Sequence, residues 1–274
     1  MKGRILNMGN LKLNADRFKG FADIYDSARP KCPEKVIELI LKYLSKKPSA
    51  VVDLGCGTGL STRIWSDVSD RVIGLEPSTD MISVARKKSN CLKNLEFISA
   101  FSDNTGLDNN FADVVTCSQS FHWMNPETTL NEVSRILKKN GIFATYDCDW
   151  PPVCDLKAEI EYNKLFDKVK EIELTDPNIK NSFKRWDKNS HLINIKNSGK
   201  FQYVREIVFL NSENCNAQRF IALALSQGGL QAILKAEKDE IKPFLLSFKE
   251  KITDIFGNSE FEIGFCYRMR IAVK

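Results

Sequence analysis

Apolar positions in the first half of the chain come in short blocks that alternate between strand and helix period. Val51-Val52-Asp53-Leu54 is a compact β-branched run, and residues 50–54 are predicted to form a strand. It empties into glycines, after which Leu60-Ser61-Thr62-Arg63-Ile64-Trp65 is expected to open a helix. Strands are predicted at 71–75, at 95–99, at 112–117 and at 142–146. Between them, Pro33–Leu44 repeats its apolar residues at helical spacing, with Pro33 suited to a first turn. Ser78-Thr79-Asp80 offers an N-cap to a helix over Met81–Lys88. Pro126–Lys139 is a further helix, with Asn140-Gly141 placed as its C-cap. This β-α alternation predicts an α/β fold, a doubly wound and mostly parallel seven-stranded sheet that binds ligands at the carboxyl ends of its strands.

The second half has a different rhythm. Residues 155–174 have a charged helical pattern, and 177–200 are rich in Lys and Asn around Trp186 and His191. A strand is predicted at Phe201–Leu210, amphipathic helices at about 216–236 and 238–256, and a long alternating strand at 261–273. The expectation is one domain over 1–274, with its core at about 34–150 plus strands near 201–211 and 261–274. The long connections, about 155–200 and 213–258, would then form a helical cap inserted in the C-terminal half.

Chemistry concentrates where the first strand ends. Gly55, Gly57 and Gly59 alternate with Cys56 and Thr58, letting the backbone turn tightly and approach a ligand closely. Glu76 closes the second strand 23 positions after Asp53, the offset at which a nucleotide fold places a carboxylate on ribose hydroxyls. The other reading of Glu76 is a solvated charge at a strand end. A dinucleotide fingerprint would require glycine where Leu60 stands, and no Lys-Ser or Lys-Thr follows to make a P-loop.

The pattern Asp53-x-Gly55-x-Gly57-x-Gly59 resembles motif I of the class I S-adenosylmethionine (SAM) methyltransferases. A carboxylate at the strand end suits the ammonium and sulfonium of SAM and would repel a pyrophosphate. The resemblance implies that Asp53 fixes the loop or engages the ammonium, and that Gly55, Gly57, Thr58 and Gly59 line the methionine and ribose portions. It also implies that Glu76 receives the ribose hydroxyls. Pro77 and Met81 follow in Glu-Pro-Ser-Thr-Asp-Met, where the thioether either packs on adenine or belongs to the core. Ala100, Phe101 and Ser102 occupy the family's adenine-edge position, with Ser102 where many relatives carry an acidic residue.

Asp113–Met124 resembles motif IV of the methyltransferase type 11 group, a strand running into a loop that ends His-Trp. Ser118 and Gln119 would contact the methionine half, His122 would be a general base or an acceptor-binding group, and Trp123 would wall the pocket. The alternative for His122 is a purely structural role in its loop. No Asn-Pro-Pro-Tyr type motif stands here, which argues against nucleic-acid bases as acceptors. Phe18–Pro33 resembles the N-terminal segment of the type 11 proteins that include trans-aconitate methyltransferase-like members, with Cys32 in place of a tyrosine. Tyr25 and Arg29 would close over the cofactor carboxylate or an acidic acceptor. A helix staple and a surface arginine explain them equally well.

The expected activity is SAM-dependent methyl transfer to a small molecule, at a carboxylate or hydroxyl oxygen, releasing S-adenosylhomocysteine. The alternatives are a SAM-binding regulatory protein without methyl transfer and a methyltransferase acting on RNA or protein. Composition changes this picture little. The net charge of +5 is spread along the chain and gives nucleic acid weak support. Eight cysteines form no C-x-x-C pair and there are only two histidines, so no metal site is expected and the thiols are expected to be reduced. No apolar run has membrane-spanning length and the first residues lack a signal-peptide core, which predicts a cytoplasmic protein without a membrane partner. The sequence does not specify an oligomeric state.

Overall fold

The computed structural model describes residues 12–15, 20 and 22–274. Seven strands form one sheet: β1 (Ala50–Leu54), β2 (Arg71–Leu75), β3 (Leu95–Ile98), β4 (Ala112–Ser118), β5 (Leu137–Cys148), β6 (Tyr203–Cys215) and β7 (Phe261–Val273). Their order across the sheet is β3-β2-β1-β4-β5-β7-β6. The first five are parallel, and β7 enters antiparallel between β5 and β6. The order reverses direction between β1 and β4. At such a switch point the connections leave to opposite faces and open a crevice beyond the strand ends.

β1, β4 and the body of β5 are buried on both faces, which explains their continuous Val, Ile and Ala content. Helix α1 (Ala22–Ala28) lies before the sheet begins, and α2 (Glu34–Leu44) follows Pro33 as its N-cap. α3 (Thr79–Lys88) follows β2, and α4 (Pro126–Ile136) follows β4. The Asn125 side chain caps α4 by accepting from the amides of Glu127 and Thr128.

Helices are inserted after β5 and after β6. α5 (Leu156–Thr175), α6 (Pro177–Lys180) and α7 (His191–Asn197) precede β6; α8 (Ala217–Leu225), α9 (Gly228–Lys235) and α10 (Lys242–Phe256) precede β7. Tyr162, Phe220 and Phe248 join α5, α8 and α10 into one buried cluster that packs against β7 through Phe265 and Trp150. No described helix is long and apolar enough to cross a membrane.

Three expected elements differ. No α-helix opens at Ser61; the chain makes a single tight turn at Arg63–Trp65 instead. The hydroxyls of Ser61 and Thr62 are drawn down onto Asp53, and the amides of Trp65, Ser66 and Val68 each bond three residues back. The predicted helix through Lys139 ends at Ile136, because Leu137 already pairs with Ala112 as the start of β5. Asn140-Gly141 is therefore not a helix cap; the Asn140 amide and the Gly141 carbonyl bond to Lys274 at the chain's end. The predicted helix over 216–236 is two helices, broken before Gly228-Gly229, a pair with little helix propensity.

Candidate active site

The carboxyl ends of β1, β2 and β4 meet the N-terminal segment around a cavity of about 680 Å³. Gly55, Gly57, Glu76, Pro77, Met81, Ala100, Phe101, Ser102, Ser118, Gln119, Tyr25 and Trp123 line it. Asn14, Ala15, Ser120 and Met124 complete the wall.

Asp53 is the keystone of the loop but does not line this cavity. Its carboxylate is fully buried and accepts from Ser61 Oγ at 2.7 Å, Thr62 Oγ1 at 2.8 Å and Thr116 Oγ1 at 2.8 Å. Burial pushes its carboxyl above the ordinary value, and the three hydroxyls oppose that rise. The geometry therefore favours loop fixing over direct contact with a ligand ammonium. Gly59 also stands behind the wall. Thr58 lines a neighbouring recess with Arg29, Cys32 and Tyr267 rather than the main cavity.

Glu76 faces inward. One carboxylate oxygen accepts from the Ser78 amide at 2.8 Å and the other from the Gly57 amide at 3.1 Å. Each oxygen keeps a further acceptor position, so the group can still receive two hydroxyls. Burial is the dominant cause that pushes it up to about 7, with the two amides opposing and Asp53 adding to the rise. Gly57 has φ +55 and nothing within 4 Å of where a Cβ would stand. The cradle is open where a ligand would lie against the backbone. Gly55, at φ +64, has no such freedom; a Cβ there would meet Met124 Cε at 2.7 Å and the Ser120 Cβ at 2.8 Å.

Phe101, Pro77 and Met81 supply apolar wall, and the Ser102 hydroxyl is already engaged with Thr129 Oγ1 at 3.0 Å. Gln119 holds the turn after β4 in the left-handed region, φ +53, with its amide on the Tyr146 carbonyl. A non-glycine residue held there is typical of functional turns. Ser120 ties the same turn to β1 through the Leu54 carbonyl at 2.7 Å.

Gln119, Tyr25 and Trp123 are shared with a second space of about 960 Å³. Its remaining wall is Arg29, His122, Trp150, Arg185, Trp186, Asp187, Lys188, Gln227, Gly228 and Gly229. Arg29 donates to the Ser226 carbonyl and to Gln227 Oε1, both at 3.2 Å, and its guanidinium lies over Tyr25 and Trp150 at 4.8 and 5.2 Å. Among the described residues no carboxylate pairs with it. His122 is 6% exposed, and burial together with the Lys188 ammonium brings it down to about 4 against the pull of Asp147.

Trp150, Trp186, Lys188, Gln227 and the glycine pair were not legible as site residues, because they come from insertions with no motif. Asn14 was also missed. Its side chain bonds the Trp123 and Lys184 carbonyls and the Lys184 amide, tying the N-terminal segment over the cavity. The metal-ligating potential of His122 with His191 was hidden by their distance in sequence; with Asp147 they form one buried cluster.

Residues 52–145 match the family model described as Methyltransferase domain. A curated relative from Saccharomyces cerevisiae, named "Probable S-adenosylmethionine-dependent methyltransferase CRG1", is 34% identical over 124 residues, covering 44% of this chain and 43% of its own length. The ubiquinone/menaquinone biosynthesis C-methyltransferase UbiE of Campylobacter jejuni is 28% identical over 152 residues, 48% of this chain and 62% of its own. The chain spans about half the length of the curated relatives it matches. Among solved structures, a protein assigned as a type II methyltransferase from Anaeromyxobacter dehalogenans superposes with TM-score 0.64 at 15% identity, over 89% of this chain and 97% of that one. The [4+2]-cyclase SpnF shares the fold with TM-score 0.52 at 14% identity, over 90% and 84% of the two chains. At these identities the structural likeness speaks for the fold, and the chemistry has to be argued from the site.

Proposed function

We propose that this chain, whose residues 52–145 match the methyltransferase-domain family model, binds SAM in the cavity at the end of β1 and transfers its methyl group to a small acceptor. The observation that carries this reading is the joining of two different spaces at Gln119, Tyr25 and Trp123. One is a cleft with a carboxylate and an open glycine cradle; the other is walled by aromatic rings, cations and Asp187. When bound, SAM supplies a methyl carbon already activated by its sulfonium.

The protein's part is to hold the partners and exclude water. Glu76 would receive the ribose hydroxyls, and Pro77, Met81 and Phe101 would flank the adenine. Gly55, Gly57, Ser118 and Gln119 would lie along the methionine half. Glu76, when ionised, would favour a cationic ligand and disfavour phosphates. In the second space Arg29 sets the opposite character; Arg185 is paired with Glu173 at 3.6 Å and Lys188 with Asp147 at 3.1 Å, and Asp187 adds a carboxylate to the wall. An acceptor with an anionic group and a flat apolar body fits there, through charge-assisted hydrogen bonds and ring stacking. Oxygen is the preferred nucleophile, because an ammonium acceptor would face the Arg29 guanidinium, which has no carboxylate partner among the described residues. The aromatic rings of Trp123, Trp150 and Trp186 converge on this space from three segments, which supports a small molecule over RNA or protein.

The test is transfer of labelled methyl from SAM to a panel of hydroxylated and carboxylated aromatic or unsaturated acids. Product formation that saturates with acceptor and needs Arg29 supports the reading: Arg29→Ala is expected to raise the acceptor KM by about 10- to 100-fold, the worth of a lost charge-assisted contact. The SAM KM should stay within about threefold, since Arg29 does not line the SAM cavity. Intact SAM binding with no turnover across the panel would instead favour a regulatory SAM-binding protein.

A further inference from the structure

Behind the acceptor cavity sits a buried carboxylate that the methyl-transfer reading does not use. Asp147, on β5, is 2% exposed. Its Oδ1 lies 3.4 Å from His122 Nδ1 and 3.1 Å from the Lys188 ammonium. Its Oδ2 lies 3.4 Å from Arg270 Nη1 and 3.8 Å from His191 Nε2. The donors of His122, Asp147 and His191 are within 4.8 Å of one another, close enough to suggest a metal. Charge argues otherwise, since a divalent ion there would stand beside the Lys188 and Arg270 cations that already hold the carboxylate.

Lys188 also bears on the state of the cluster. Against the effect of burial, Lys188 first and then the two histidines hold the Asp147 carboxyl well below the usual carboxylate range, so it is a pure acceptor. A carboxylate 3.4 Å from the Nδ1 lone pair of a neutral imidazole would be repelled, whereas an Nδ1–H is attracted. Nδ1 and the facing Asp147 Oδ1 are both buried and neither makes a hydrogen bond, so the contact between them acts through charge alone, while Nε2 is not among the buried unpartnered atoms. His122 itself lines the acceptor space. The bare nitrogen is therefore the one left toward the acceptor.

We infer that Asp147 is a positioning residue that fixes His122 as the Nδ1–H tautomer, so that His122 Nε2 takes the proton from a hydroxyl acceptor as it is methylated. This rests on the methyl-transfer reading and narrows its acceptor class from oxygen nucleophiles in general to hydroxyls. The acceptor oxygen gains the methyl as the methyl–sulfur bond breaks, with the electron pair staying on sulfur in the departing S-adenosylhomocysteine, and loses its proton to Nε2; the imidazolium is balanced by Asp147 until the proton passes to solvent. An alkylated hydroxyl is a far stronger acid than an imidazolium, so a weakly basic ring suffices. Burial and Lys188 keep that ring neutral and ready before the reaction. Phe121 braces the arrangement by packing edge-on against His191 at 4.8 Å.

The chain has two histidines, so the test is long-range proton–nitrogen NMR of the histidine-labelled protein at neutral pH, with His122→Gln giving the assignment. The expected wild-type result is a neutral His122 carrying its proton on Nδ1; a proton on Nε2 overturns the inference without any need for a variant. In Asp147→Asn the tautomer preference should relax toward a mixture, and an unchanged pure Nδ1–H state in a folded variant also overturns it. His122→Ala should lower kcat for a hydroxyl acceptor by about 100-fold or more at unchanged SAM affinity. Unchanged kcat contradicts the role as base. SAM binding measured on the same samples separates the two claims: a wild type that binds no SAM removes the methyl-transfer reading, while the tautomer still reports on Asp147.

Discussion

Glu76 is the residue through which pH should act on cofactor binding. Burial pushes it up to about 7, so near neutrality the free site is divided between an acid and a carboxylate. Ribose hydroxyls favour the carboxylate, which lowers the carboxyl's proton affinity in the complex. SAM affinity is therefore expected to be level above pH 7 and to fall by up to about tenfold per pH unit below it. Titrations between pH 5.5 and 8.5 check this; a flat profile would mean that Glu76 does not contact the ligand. For ligand-free stability the sign is opposite. Between the ordinary value of 4.5 and about 7 the folded chain keeps a proton that the unfolded chain has released, so stability falls as pH rises through that window. Gly57 offers a second test at this scale. Its φ of +55 is strained for any L side chain, and its open Cβ position is the space a ligand would take. Gly57→Ala should cost about 1 kcal/mol of stability and weaken SAM binding by more than that strain alone explains, as read from Tm and calorimetry together.

Among the elements, β4 separates the fold's support from its chemistry. Asp113 sits at its amino end, accepting from the Ser49 hydroxyl and amide, the Ala50 amide and Lys138, with Lys46 on its other oxygen. These partners hold its carboxyl well below the ordinary value of 3.8. The resulting stability is fully present above that value and is lost as pH falls through the lower folded-state value. Removing the carboxylate leaves two lysines and two amides without their acceptor. Asp113→Ala is expected to cost about 3 kcal/mol in chemical denaturation, in the range for a broken buried pair. SAM affinity should change less than twofold, because the cavity lies at the opposite, carboxyl end of the strand. α1 works at that other end. Asp26 pairs with Lys88 on α3 and with Arg63 beyond the glycine loop, so the helix carrying Tyr25 is clamped over both spaces.

At the scale of the molecule, the parallel half of the sheet was legible because hydrophobic blocks and glycine punctuation both marked it. Val51-Val52 mark a buried strand, the loop glycines a tight turn after it, and Glu76 the end of the next strand. The helix expected after Ser61 was not foreseeable as a tight turn, since its cause is the pull of Asp53 on Ser61 and Thr62 across the loop. Lys139-Asn140-Gly141 has the pattern of a helix end in isolation and becomes strand through pairing with the chain's last residue. The acceptor wall was least legible. Trp150, Trp186, Lys188 and Gln227 are placed by packing of inserted helices, and nothing in their local sequence marks them. The central claim is that the cavity at the end of β1 holds SAM through Glu76, and calorimetric titration of SAM and S-adenosylhomocysteine into wild type and Glu76→Ala tests it most directly. The account predicts micromolar binding of both ligands to the wild type, weakened at least about 30-fold in the variant, the loss of two hydrogen bonds to a charged group. A folded wild type that binds neither ligand, or a variant that binds both as tightly, would contradict it.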